Sequence, residues 1–224
     1  LLLVSYKILL TGFADLEHQS TEKSVNRLVN VLTDEIYSLY VEAKDYSMWD
    51  DTYKYMSTQN PEFITSNFSV ETFSNLHLNL VILIDRTEHI VAGITYNSTS
   101  YKTEPLPPSY YDYFEHNPLF TYHHENQGQV VGFMLLSGQL LLIASRPILP
   151  SHGEGTSQGT LIMGRFLSAE ERQRLKRLTD LSLTVQLLNN NHTLPEEFAT
   201  ARTLLLNKRM VVQTLNENSI AEYV

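Results

Sequence analysis

From Phe13 to Tyr46 the chain runs thirty-four residues without a glycine or a proline. Within that run Val25, Leu28, Leu32, Ile36, Leu39, Ala43 and Tyr46 recur at steps of three and four, which puts one apolar stripe on a helix. At about 1.5 Å per residue such a helix is about 50 Å long, well beyond the usual globular length. It predicts either a core helix of a bundle or a membrane-proximal stalk. The segment before it, "LLLVSYKILL", is apolar or near-neutral around a single lysine and too short to cross a bilayer by itself. Two readings stay open for it: the buried first turns of a soluble helix, or the last turns of a membrane helix.

The remaining pattern is mixed. "SMWDDTYKYM" predicts a short helix over 47–59, with Ser47 as its cap, Asp50 closing the capping pattern, and Trp49, Thr52, Tyr53 and Met56 on the buried face. Asn60-Pro61 ends that helix, and another helical turn reaches Ser66. "LHLNLVILID" (76–85) alternates and "IVAGITYN" (90–97) returns, a hairpin closed by "RTEH". Residues 98–129 form a polar, proline- and tyrosine-rich excursion with short helices at 109–115 and 118–122. Strands follow at 130–137, 139–149 and 159–167, the last two apolar on both faces and therefore covered on both sides. Ser168 and Glu171 open a helix over 168–178. A strand at 181–188, a helix at 195–205 and a strand at 209–215 complete the expectation. The class is α+β: a central antiparallel sheet of about five strands, a long N-terminal helix and a small C-terminal α/β segment.

Composition excludes several functions. The chain has 224 residues, 42% hydrophobic and 18% charged, a folded composition long enough for one large domain or one plus a small appended unit. Net charge is −9 and the sixteen lysines and arginines are scattered, which argues against a nucleic-acid partner. The absence of cysteine removes disulfides, thiolate metal sites and cysteine nucleophiles. No G-x-S-x-G, H-E-x-x-H or dinucleotide fingerprint occurs, and "HGEGTSQG" (152–159) lacks the lysine of a phosphate loop. No enzyme chemistry and no cofactor are therefore expected.

Two separated stretches carry a family resemblance. "DYSMWDDTYKYM", "NPEF", "SNF" and "NLVILID" resemble the opening of the CHASE-type extracellular sensory domains of the fourth class, and "GQLLLIASRPILPSHGEGTSQGTLIMGRFL" resembles that family's later signature. "GFADLEHQSTEKSVNRLVNVL" is similar to its membrane-exit helix, through Phe13, Glu17 and Arg27. The resemblance covers about residues 12–180 and implies a Cache-like (extracellular, PAS-like) sensor, periplasmic or extracellular. Such domains sit in a prokaryotic transmembrane receptor with a histidine kinase or cyclic-di-GMP enzyme as output. On that reading residues 1–11 are a remnant of a membrane helix, 12–180 the sensory domain with its stalk helix at 12–46, and 181–224 a membrane-proximal, truncated segment. The first strand is followed by "DRTEH" where the family usually has a glycine, so its turn need not use left-handed backbone.

The candidate ligand-binding residues are Asp45, Trp49, Asp50, Tyr53, Asn79 and Arg146. Asp50 and Asp51 are not a catalytic pair, because neighbours on a helix point about 100° apart. Trp49 and Tyr53 suit either the core or a pocket wall. Asn79, placed mid-strand, must satisfy a neighbouring backbone or a ligand. Arg146 and Arg165, at the ends of apolar strand faces, predict either a structural carboxylate partner, such as one of the aspartates, or a fork for a ligand carboxylate. His116 and "YHHEN" (122–126) lack metal-ligand spacing, and no metal is expected. The partners expected are an unknown small-molecule or peptide ligand, the membrane through flanking helices, and a second copy paired along the Val25–Ala43 stripe. The rival reading is a structural or protein-interaction module without a pocket.

Overall fold

A computed structural model describes residues 2–115, 117–121, 128–181, 211–216 and 219–223, with residues 184 and 198 in isolation and side-chain detail from Lys23 to Leu181. Helix α1 spans Leu2–Ser47, followed by α2 (Asp50–Thr58), α3 (Pro61–Asn67), α4 (Val70–Asn75), β1 (Leu80–Asp85), β2 (Ile90–Asn97) and β3 (Lys102–Pro105). Then come α5 (Pro108–Glu115), α6 (Pro118–Thr121), β4 (Val130–Leu136), β5 (Gln139–Pro147), β6 (Gly159–Phe166), α7 (Ala169–Thr179), β7 (Val211–Asn216) and β8 (Ser219–Tyr223). The strand expected at 181–188 and the helix at 195–205 fall mostly outside the described residues. So do His116 and residues 122–126.

The chain forms two compact units, Thr33–Glu171 and Leu1–Leu32 with Arg172–Val224. In the larger unit the strands are ordered β3-β2-β1-β6-β5-β4, all antiparallel. The last strand in sequence, β6, therefore sits in the middle and joins the β1–β2 hairpin to the β4–β5 hairpin. The sheet has six strands where about five are expected. The extra one, β3, is exposed at every position and pairs only with β2. In the smaller unit β7 and β8 form a separate hairpin, and Val25, Leu28 and Leu175 are buried.

Both faces of the sheet are covered. On one face Leu39 and Ala43 of α1 pack with Tyr55, Met56, Phe68 and Phe73 against Val81, Leu83, Leu142, Ala144, Leu161 and Met163. On the other, Phe114 and Phe120 from α5 and α6 cover Leu80, Ile82, Ile84, Leu141, Ile143 and Ile162. Burying a Leu or Phe side chain stabilises by about 1.5–3 kcal/mol, so this doubly covered sheet is the main stabilising feature of the unit. Leu39 and Ala43 are both fully buried, so the C-terminal part of the predicted stripe is used up against the chain's own sheet. It cannot also be the face that pairs two copies.

The close packing depends on Gly159. Its φ is +145°, and a Cβ built there would meet the Ile84 carbonyl oxygen at 2.0 Å. The β1 strand is shorter than its alternating pattern predicts. His77 takes φ +53°, Leu78 joins the α1-side cluster, and the strand starts at Leu80. The β1–β2 turn uses left-handed backbone without a glycine: Glu88 sits at φ +68°. Asp85 holds that turn, its Oδ1 accepting from Thr87 N (2.8 Å), Thr87 Oγ1 (2.7 Å) and His89 N (3.1 Å).

Candidate functional site

The six candidate residues do not converge on one pocket. Trp49 is the N-cap of α2, with φ −79° and ψ 137° and no side-chain cap bond. Ser47, expected in that role, is the last residue of α1; it is buried and donates to the Lys44 carbonyl at 3.0 Å. The buried residues of α2 are Thr52, Tyr55 and Met56. Trp49 is 38% exposed and stacks on Tyr46 with ring centroids 4.2 Å apart. It does not face the sheet. Asp45 is exposed.

Asp50 and Tyr53 grip the β5–β6 loop. Asp50 Oδ1 accepts from Ser151 N and Oδ2 from Ser151 Oγ, both at 3.0 Å. Those backbone and side-chain hydrogen bonds hold the Asp50 carboxyl below its ordinary range. Tyr53 Oη donates to the Thr156 carbonyl (3.3 Å) and pairs with Gln158 Nε2 (3.0 Å). Two candidate ligand-binding residues thus clamp a loop to a helix start. Asn79 is equally occupied: its Oδ1 accepts from Phe166 N (2.9 Å), its N–H donates to the Gly164 carbonyl (2.8 Å) and its carbonyl accepts from Tyr96 N (2.9 Å). It bonds strand backbones on both sides, where a helix backbone or a ligand was expected.

The two arginines diverge. Arg165 is 5% exposed. It pairs through Nη1 with Glu35, lies 3.5 Å through Nη2 from Glu42 Oε2, and donates to the carbonyls of His77 (Nε, 3.1 Å) and Leu76 (Nη2, 2.7 Å). Its carboxylate partners are glutamates of α1, not the aspartates of α2. Sequence reasoning missed both, although their seven-residue spacing beside the apolar stripe places them on one side of the helix.

Arg146 has no carboxylate partner among its described contacts. It lies 4.8 Å from the centre of the Tyr40 ring, and its Nη1 donates to Gln129 Oε1 at 2.9 Å. Its Nε is buried with no hydrogen-bond partner. The β4–β5 register puts Val131 opposite Ala144 and Phe133 opposite Leu142, on the face that α1 covers. There Val131, Phe133 and Leu135 remain 38%, 41% and 39% exposed. Arg146 therefore stands between α1 and an open apolar strip on the edge strand. Asn79 lies at the other end of the sheet, opposite the last residues of β6, while Arg146 pairs with Leu161. At about 3.3 Å per residue the two are more than ~10 Å apart along the strands.

Comparison with known proteins places this architecture. The profile of the CHASE4 domain matches residues 31–186. The chain belongs to the CHASE4 family. A curated relative, the methanogenesis regulatory histidine kinase FilI of Methanothrix harundinacea (strain 6Ac), is 28% identical over 170 residues. That match covers 76% of this chain and 19% of the relative, so the CHASE4 chain spans about a fifth of the kinase's length. Among solved structures, the periplasmic domain of Vibrio cholerae LuxQ matches with a TM-score of 0.50 at 10% identity, over 80% of this chain and 84% of that one. The V. cholerae histidine kinase DctB sensor domain matches with a TM-score of 0.45 at 18% identity, over 74% and 58%. The CHASE4 fold here is thus the α+β, Cache-like antiparallel sheet of periplasmic sensor domains. Among the described residues no helix is long and apolar enough to cross a membrane.

Proposed function

We propose that this CHASE4 domain is the extracytoplasmic, ligand-binding input of a prokaryotic transmembrane receptor with a histidine kinase or cyclic-di-GMP enzyme as output. Residues 1–11, of which residues 2–11 form the first turns of α1, would continue into a membrane helix. Residues 181–224 would form the membrane-proximal end. The observation that carries the ligand reading is the buried, unpartnered Nε of Arg146 beside Tyr40. An orphaned buried donor costs about 1–3 kcal/mol, which a ligand carboxylate delivered to that edge of the guanidinium would recover. Reaching it requires Tyr40 to part from Arg146, and Tyr40 belongs to α1. Ligand entry and displacement of the long helix are then one event. Of the other candidates, Asp50, Tyr53 and Asn79 support the site by fixing the ends of β5 and β6.

The homodimer belongs to the same proposal, with the exposed side of α1 around Tyr37 (67% exposed) as its helix face. The open strip of Val131, Phe133 and Leu135 favours a second reading, a protein-interaction module in which no small molecule binds. A thermal-shift panel of small carboxylates on wild type and Arg146→Gln separates them. At a hundredfold excess over Kd a binder stabilises by about 2.7 kcal/mol, and that gain should vanish in Arg146→Gln. A binder that stabilises both proteins equally moves the site elsewhere. No binder, with concentration-dependent association in sedimentation that Phe133→Asp abolishes, replaces the ligand reading with the interaction module.

A further inference from the structure

The Arg165 cluster holds an imbalance that the ligand reading does not use. One buried guanidinium faces two carboxylates from α1. The two glutamates are not equivalent. Glu35 takes Arg165 Nη1 directly. Glu42 Oε1 accepts from Ser38 Oγ at 2.9 Å, while its Oε2 is buried without a hydrogen-bond donor and only approaches Arg165 Nη2 at 3.5 Å. A buried carboxylate oxygen in ion-pair range but unmet by a donor disfavours the ionised form.

We infer that Glu42 is a proton-binding site and that the pH of the surroundings is a second input to this domain. The groups acting on it come from three elements: Glu35, Ser38 and Tyr46 on α1, Arg165 on β6, and His77 in the α4–β1 connection. Burial raises the Glu42 carboxyl above its ordinary range and the Glu35 charge adds to it; Ser38, Arg165 and His77 pull the other way without prevailing. Protonation cancels the Glu42–Arg165 attraction and leaves Glu35 as the ionised carboxylate linking α1 to Arg165. Because burial and the Glu35 charge outweigh that attraction, the protonated site holds the helix to the sheet more firmly, at a position two helical turns from Glu35. That this reaches a receptor's output rests on the reading of α1 as the transmitting helix; proton binding itself does not.

Carbon-detected NMR of the side-chain carboxyls, with Glu42 assigned by its missing signal in Glu42→Gln, tests the inference on the chain as it is. Glu42 should titrate above the ordinary glutamate value of 4.5, and Glu35→Gln should lower its midpoint. A Glu42 midpoint at or below 4.5, or one unmoved by Glu35→Gln, overturns it. Stability gives an independent readout. With the folded value raised, the native state holds the extra proton between 4.5 and that value, so stability falls as pH rises through this window. Glu42→Gln should remove that slope, and an unchanged slope would count against the site even if the ligand reading at Arg146 survives.

Discussion

Replacing Arg165 by methionine is the sharpest test of what couples α1 to the sheet. The side chain is 5% exposed and is bonded to Glu35 and to the carbonyls of Leu76 and His77, with Glu42 in ion-pair range. Methionine keeps much of the volume but strands both carboxylates. Removing one partner of a buried ion pair costs about 3–5 kcal/mol, a third or more of a typical domain's stability. For a chain of this size that corresponds to a fall in Tm of roughly 10 °C. Trp49 is the single tryptophan and stacks on Tyr46, so urea unfolding followed by its fluorescence reports on the unit that contains Arg165. The loss should be largest at neutral pH and shrink as pH falls, because protonation of Glu42, favoured by its raised pKa, removes that carboxylate's need for a cation. The triple variant Arg165→Met, Glu35→Gln, Glu42→Gln should recover most of the loss, because a neutral site of similar volume has no stranded charge. A single-variant loss under about 1 kcal/mol, or a triple variant no better than the single, would refute the assignment of this cluster as a buried electrostatic link.

Two further outcomes follow from the backbone. Gly159→Ala places a methyl against the Ile84 carbonyl at the junction of β1 and β6, and should cost about 3 kcal/mol in chemical denaturation; a change within ~0.5 kcal/mol would show that the strand yields there. For Asp85, burial raises the carboxyl, but the Thr87 hydroxyl and the His89 and Thr87 amides outweigh it and leave the pKa lowered. Its stabilisation is therefore present above the unfolded value of 3.8 and is lost as pH falls through the folded value. Asp85→Asn should cost about 1 kcal/mol at pH 6 and nothing in strong acid, as read from the pH dependence of Tm.

Elements with a repeating pattern are legible in this sequence. The α1 stripe, the β5 and β6 apolar runs and the Ser168 cap, which accepts from Glu171 N at 3.2 Å, all follow from local periodicity or local hydrogen bonding. What is not legible depends on partners far along the chain. "WDD" reads as a helix start, yet Asp50 is occupied by Ser151, 101 residues away. Ser47 has a cap's chemistry, but α1 runs on through it, so its hydroxyl bonds backward to Lys44. The β3 strand escapes notice because Lys102–Pro105 is wholly exposed, and only the β2 backbone makes it a strand. Arg165 was recognised as a buried cation in need of a carboxylate. Charge chemistry alone does not say that Glu35 and Glu42 supply it.

The central position of β6 has a consequence for how the chain reaches this state. The β1–β2 and β4–β5 hairpins can close locally, but Arg165 must find Glu35 across 130 residues and His77 across 88, and Phe166 must find Asn79 across 87. Contacts of such sequence separation form late and slowly. Until they do, two half-sheets carry open apolar edges and α1 has two unanswered carboxylates. Folding of the first half is thus licensed by the last strand of the sheet to be made, and a chain cut before Gly159 should be caught by proteases or aggregate rather than persist as a partial domain.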